Sequence, residues 1–343
     1  MKQVLISKFG DTDVFELVDR PDPHAGPGEI RIAVHGAGVN FADLSARAGL
    51  YQDAPPAPLV CGYEVAGVVD EVGPDVTRFA VGDPVMSVTQ FGGYSDTVVV
   101  PQHQAQVLTS ADQLVAAAGV PVAYLTAFLM LNRLGSVRPG DTVLIHSAGG
   151  GVGLAALQLA KGLGAITIGT ASGRKHERLA ALGLDHAIDY RTQDFEDEVM
   201  RITGGKGVQV ALDAVGGSSF RKSYRCLASL GRLFMFGISS GNADTRLGAV
   251  KTMPKMLATT PVFHPFQLMN ANKSVVGVNM AHLWDLEGLI TETLADLIAL
   301  WDSGGIDPFV DTTFPFSRAG EAHQYLADAK NFGKVVLVPD DRA

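Results

Sequence analysis

The chain has 343 residues, a length that exceeds one ordinary core and suits two domains. Of these, 47% are apolar, enough for buried cores, and the 39 glycines are scattered rather than periodic, which excludes collagen-like or linker character. The net charge of −9 comes without a Lys/Arg cluster, which excludes nucleic-acid binding because phosphate neutralisation needs a basic patch. Two cysteines, Cys61 and Cys226, are too few for a disulfide framework or a four-cysteine zinc site. They read as buried thiols in a reducing compartment, with a single bridge left open.

Met1–Ser7 carries one charge and a short apolar run without a small-residue cleavage site, so it reads as a first strand rather than a signal peptide. No uncharged stretch reaches the length of a membrane span, and the expectation is a cytoplasmic protein with no integral membrane segment. Alternating or β-branched runs predict strands over Val4–Ile6, Glu29–Val34, Glu64–Val72, Pro84–Val88 and Thr97–Val100, punctuated by Pro/Gly/Asp clusters as in a β barrel or sandwich. The prolines of Ala54–Pro58 make that segment a loop. From Ala111 to Leu134 the texture becomes helical.

Beyond that point strands and helices alternate. Strands are predicted over Thr142–His146, Ile166–Thr170, Val208–Asp213, Arg232–Phe236 and Ser274–Val278, with helices over Gly151–Leu163, Arg174–Leu182 and Phe220–Leu230. Fully apolar strands in such alternation imply an α/β fold with a doubly wound parallel sheet. Helices around Thr291–Trp301 and Arg318–Lys330 and the strand Lys334–Val338 close the chain, and composition leaves open which domain they join.

The first predicted strand of that sheet runs into Ala148-Gly149-Gly150-Gly151-Val152-Gly153, which opens a helix. This is the setting of a dinucleotide fingerprint. Small residues permit a tight turn, and a pyrophosphate can sit on the free N–H groups at the positive end of the helix dipole. Gly153 would let the helix pack close to the strand. The next strand ends without the acid that would hold an NAD ribose hydroxyl. It carries Ser172, Arg174 and Lys175 instead, which can bond and pair with the 2′-phosphate of NADPH. A solvated helix start is the plainer reading of the same three residues.

At this point the sequence resembles the medium-chain dehydrogenase/reductase superfamily over nearly its whole length, and is most similar to the zinc-less quinone oxidoreductase branch. The resemblance is carried by Gly38–Asp43, Gly49–Tyr51, Gly62–Gly67, Val81–Val85, Gly92–Tyr94, Leu125–Phe128, Ala148–Gly153, Ile188–Arg191 and Asn331–Leu337. Phe266–Lys273 is similar to the vesicle amine-transport-protein subgroup. The resemblance implies a GroES-like β domain made of residues 1–122 and the tail 281–343, with a Rossmann NADPH-binding domain, 123–280, inserted between them. It also implies a homodimer paired through the Rossmann edge strand, Ser274–Val278.

In zinc-containing relatives a cysteine, a histidine and a second cysteine hold the catalytic metal. Here Asn40, Tyr63 and about Val122 stand at those positions, and none supplies a thiolate or imidazole. His103 and His146 lack a second ligand at a metal-site spacing and read as ordinary loop and strand-end histidines. Without a Lewis acid, reduction of an already activated acceptor is the easier chemistry.

Asn40 is the candidate to hold the nicotinamide or the substrate oxygen, with a turn asparagine as its bland alternative. Tyr51 is the candidate donor to a developing oxyanion, or an amphipathic loop tyrosine. Tyr63 fills the vacated ligand position, and Asp43 and Glu64 fix backbone and arginine partners such as Arg47. Thr126, at the start of a helix joining the domains, is expected near the nicotinamide, as are Phe236 and Gly237 at a strand's carboxyl end. Tyr190 is expected around the 2′-phosphate. Asn331 and Lys334 match a segment that closes over the cofactor, although a lysine at a strand start is ordinary. The apolar run Met253–Met269 is expected to border the cleft.

The sequence reading is therefore an NADPH-dependent, zinc-independent reductase of a small-molecule quinone or α,β-unsaturated carbonyl. A specialised 2-enoyl or acrylate reductase of a biosynthetic pathway is one alternative, and a non-catalytic NADPH-binding structural or regulatory protein is another.

Overall fold

The computed structural model describes residues 1–241 and 246–342. The chain divides into two compact units. One comprises Met1–Leu125 with the C-terminal stretch from Met280, and the other holds most of the chain from Thr126 to Asn279.

The first unit opens with β1 (Lys2–Ile6), β2 (Phe15–Asp19), β3 (Glu29–Val39), β4 (Leu59–Val60), β5 (Glu64–Val72), β6 (Pro84–Val88), β7 (Thr97–Pro101) and β8 (Ala105–Val107). β3 is its backbone. It pairs antiparallel with β5 and with β7, and alternate residues of its first half are buried. The strand continues past the predicted end at Val34 through Gly36-Ala37-Gly38. Those glycines look like a turn in sequence. In the fold they make room for neighbours: a Cβ on Gly36 would lie 2.9 Å from that of Ala118.

The long helix predicted over Ala111–Leu134 is instead broken. A 3-10 turn, Ala111–Gln113, leads into Leu114–Ala117, and a new helix starts at Pro121 and runs to Phe128, followed by one π turn over Leu129–Arg133. Pro121 explains the break, since a proline can open a helix but cannot donate within one. Among the described residues no single helix is long and apolar enough to cross a membrane.

The second unit carries β9 (Thr142–Ile145), β10 (Ile166–Ala171), β11 (His186–Asp189), β12 (Val208–Asp213), β13 (Leu227–Met235) and β14 (Ser274–Gly277). All pair in parallel, in the order β11-β10-β9-β12-β13-β14. By order of appearance this is 3-2-1-4-5-6, the nucleotide-binding arrangement whose switch point lies between β9 and β12. The helix predicted over Phe220–Leu230 ends early. It spans Ser218–Arg225, and β13 begins at Leu227, whose side chain joins the buried cluster of Leu144, Ile168 and Leu233.

The tail returns to the first unit. β15 (Val310–Pro315), which the sequence reading missed among its prolines and threonines, pairs in parallel with β16 (Lys334–Val338). β16 in turn pairs antiparallel with the end of β3, Val335 opposite Val39. This pairing places residues near 334 beside residues near 40.

Candidate functional site

β9 ends at Ile145, one residue before its predicted end, and the helix Gly151–Gly162 begins after the turn. Ser147 sits at φ +55°, and Gly150 N–H closes the turn by donating to Ser147 O at 2.8 Å. A Cβ on Gly153 would lie 2.2 Å from Ser147 O and 2.7 Å from Ala148 Cα, so only glycine lets the first helical turn sit against the strand end. No side chain caps this helix, because Gly150 occupies the N-cap position. The N–H groups of the first turn, which have no helical partner, therefore remain available to an anion. A dinucleotide pyrophosphate fits this cradle.

Around the end of β10 the structure gathers several predicted residues. Ser172 is buried at the start of the 3-10 turn Gly173–Lys175, Arg174 is exposed, and Lys175 Nζ reaches back to Gly149 O at 3.4 Å. Tyr190 follows β11 and is half exposed. Sequence reasoning missed two neighbours. The Arg191 guanidinium lies 5.9 Å from the Tyr190 ring centre, adding a cation to this patch. Asp189 brings a carboxylate beside the turn, but Gly173 N–H and Arg191 N–H each donate to it at 3.0 Å.

His146 joins the strands across the switch point. Its Nδ1 lies 3.1 Å from Thr170 Oγ1 and its Nε2 lies 2.9 Å from Ser223 Oγ. Ser223 and Ser219 each donate to Asp213 Oδ2 at 2.7 Å. Since the Ser223 proton is spent on Asp213, Nε2 carries the histidine proton and Nδ1 accepts from Thr170. Burial holds the His146 pKa below its usual value, opposed in part by Asp213. Asp213 Oδ1 also accepts from Val215 N–H at 2.8 Å, fixing the loop after β12. Gly237 packs on that loop, since a Cβ there would lie 3.0 Å from Ala214 O, and Phe236 beside it is half-buried. Thr126 is buried within Pro121–Phe128 rather than at its start.

In the first unit, Asn40 stands between β3 and the helix Phe41–Arg47. The Asp43 carboxylate accepts from Asn40 N–H and Gly62 N–H, both at 2.8 Å, which pins the two motif loops together. Complete burial pushes the Asp43 pKa up to about 7, against the pull of those two bonds. The Asn40 side chain is held by charged partners. Its Oδ1 accepts from Lys334 Nζ at 2.8 Å, and its Nδ2 donates to Glu64 Oε1 at 2.8 Å. Lys334 and Glu64 are themselves a buried ion pair at 2.6 Å.

Tyr63 is buried. Its ring centre lies 6.0 Å from that of half-buried Tyr51 and 4.9 Å from that of Phe91, and its hydroxyl has no hydrogen-bond partner. Burial raises its pKa, so the phenol keeps its proton. Burial likewise keeps Cys61 a thiol. An engaged amide, a protonated phenol and the aliphatic Val122 do not make a zinc donor set. Asn331 is buried, and its amide donates to Gly333 O at 2.8 Å within its own loop.

The second unit carries a phosphate cradle on a parallel sheet, and the first carries an amide and aromatic cluster on its β scaffold; taken each by itself, these are the features of a nucleotide-dependent oxidoreductase of the two-domain kind. The comparisons narrow the class. Residues 26–110 match the alcohol dehydrogenase GroES-like domain, and 182–337 match the zinc-binding dehydrogenase model. The chain is 37% identical to the synaptic vesicle membrane protein VAT-1 homolog of Rattus norvegicus, over 99% of this chain and 84% of that one. It is 35% identical to the 2-haloacrylate reductase of a Burkholderia species, over 99% of both. The crystal structure of Escherichia coli quinone oxidoreductase complexed with NADPH superposes with a TM-score of 0.87 at 29% identity, covering 99% of this chain and 100% of that one. The chain belongs to the medium-chain dehydrogenase/reductase superfamily, in its zinc-less quinone oxidoreductase branch.

Proposed function

We propose that this chain is an NADPH-dependent, zinc-independent reductase of quinones or α,β-unsaturated carbonyls. The uncapped helix start at Gly150–Gly153 carries the reading, because it offers bare N–H groups and Gly153 lets that first turn sit against the strand end. Ser172, Arg174, Lys175 and Tyr190 would hold the 2′-phosphate end, and Arg191 joins them. Ala148 to Gly153 would hold the pyrophosphate. Thr126, Phe236, Gly237 and Asn331 would border the nicotinamide end. Bound NADPH supplies the hydride.

The protein's own part is orientation and charge stabilisation. Asn40 offers an N–H to the acceptor oxygen, and Tyr51 hands a proton to it or orders the water that does. The relatives' names support this class: one is a 2-haloacrylate reductase, whose substrate is an α,β-unsaturated acid, and one is a quinone oxidoreductase. The test is an absorbance screen of NADPH and NADH oxidation over quinones, enones, acrylates and enoyl thioesters, with and without a chelator. Turnover with NADPH that is indifferent to chelator is expected. Loss of turnover on chelation overturns the zinc-free mechanism. Tight NADPH binding without turnover of any acceptor leaves the non-catalytic reading in its place.

We also propose that two copies pair through the outer edge of β14, in the cytoplasm.

A further inference from the structure

Lys334 is the residue whose placement departs most from a surface lysine at a strand start. Its ammonium has three N–H donors and meets three acceptors: Val39 O at 3.1 Å, Asn40 Oδ1 at 2.8 Å and Glu64 Oε1 at 2.6 Å. No donor is left over for a ligand. Glu64 is equally committed, since its Oε1 is shared by Lys334 and Asn40 Nδ2 while its Oε2 accepts from Val122 N–H at 2.7 Å. Room for the pair is built into two glycines. A Cβ on Gly38 would lie 2.3 Å from Glu64 Oε1, and one on Gly119 would lie 2.9 Å from Lys334 Cγ.

The consequence falls on Asn40. An ammonium can only donate and a carboxylate can only accept, so the amide has one allowed orientation. Flipping it would set Nδ2 against Lys334 and Oδ1 against Glu64, two mismatches with charged groups. In the allowed orientation one Nδ2 hydrogen goes to Glu64. The second has only Gly38 O at 3.4 Å, at the long limit of a hydrogen bond. Asn40 therefore presents an N–H that is not well satisfied by the protein.

Resting on the reading above, we propose that Lys334 and Glu64 are positioning residues that fix Asn40 as a hydrogen-bond donor. The site would then select acceptors by an oxygen that gains negative charge, as a quinone or enone carbonyl does, and Lys334 would act through Asn40 rather than on the cofactor. Preorganised donors of this kind count for most where charge develops.

The experiment compares wild type, Lys334→Met, Glu64→Gln and the double variant by kcat, acceptor KM, NADPH Kd from fluorescence titration, and Tm. Lys334→Met is expected to lower kcat by about 100-fold while NADPH Kd stays within about twofold. It also lowers Tm, because a carboxylate is left buried and unpaired. The double variant removes that charge and is expected to recover Tm but not kcat. Recovery of kcat together with Tm overturns the proposal in favour of a purely structural pair. A rise of more than about tenfold in NADPH Kd for Lys334→Met overturns it in favour of direct cofactor contact. A wild type that oxidises NADPH with no acceptor fails the functional reading first and this inference with it. An active wild type with an active double variant fails this inference alone.

Discussion

Arg47 poses the sharpest question among single residues. It is 2% exposed, yet its Nε and Nη1 find no hydrogen-bond partner, and burial lowers its pKa. The charge of Asp11 opposes that loss only in part, so a buried cation with two unpaired N–H donors gains little by its charge, whereas its stem still packs. Arg47→Met keeps most of the stem and drops the charge, so the variant should be within about 1 kcal/mol of wild type or more stable. A chemical-denaturation midpoint falling by more than that would show that the guanidinium has a partner in solution.

Beside it, His323 Nε2 meets Tyr94 Oη at 3.1 Å while Nδ1 is unpaired in a fully buried setting. Burial first, and the Arg47 charge second, hold its pKa well below 6.5. The sign follows from linkage. The unfolded chain binds this proton near pH 6.5 and the folded one does not, so the stability is intact above 6.5 and is lost as pH falls below it. Relative to His323→Gln, wild type should lose stability as pH falls below 6.5, with a slope that steepens toward about 1.4 kcal/mol per pH unit. Parallel slopes for the two proteins would refute a neutral His323. Asp43 works in the opposite sense: its pKa is raised from 3.8 to about 7, so its contribution is present below 3.8 and fades as pH rises from there to about 7.

At the scale of elements, the turn between β9 and its helix is a steric device. Gly153→Ala would set a methyl 2.2 Å from Ser147 O, and the helix must move away from the sheet to admit it. Overpacking of this kind costs about 1–3 kcal/mol. The shift also displaces the N–H groups of the first turn, so NADPH Kd should rise at least tenfold while far-UV circular dichroism stays that of the wild type. Unchanged NADPH affinity in a folded variant would remove the turn from the cofactor site.

This element was legible in the sequence because every part of it is local. Strand, small residues and helix follow one another within about one supersecondary unit. The same holds for β5, β6, β12 and β16, whose predicted bounds coincide with the observed ones. Legibility failed where a residue's reason is distant. Gly36 and Gly38 look like strand breakers until Ala118 and Glu64 are seen to need their space. Lys334 and Glu64 lie 270 residues apart, and no periodicity reports such a pair. Arg191 was quoted only as part of a motif, because its position over the Tyr190 ring is a matter of side-chain direction.

For the whole molecule the open question is the edge of the parallel sheet. Among the described residues β14 is the last strand on its side and pairs only with β13, so its outer N–H and C=O groups form a row with no strand partner among them. The neighbouring helix Pro265–Ala271 buries none of its residues. Phe266 is 66% exposed and Met269 59%, and Leu230, whose N–H donates to Asn272 O, is 75% exposed. A bare strand edge flanked by large apolar side chains is a template for a second copy. A twofold axis beside β14 would pair the two edge strands antiparallel and bury the same residues on both copies, which is how an isologous contact closes without growing further. Phe266→Asp combined with Met269→Lys places charge at that contact while changing no buried side chain. Light scattering after size exclusion should then report a dimer for wild type and a monomer for the double variant, with the monomer less stable because the edge is exposed. A wild-type monomer, or a double variant that remains a dimer of unchanged affinity, would move the interface elsewhere.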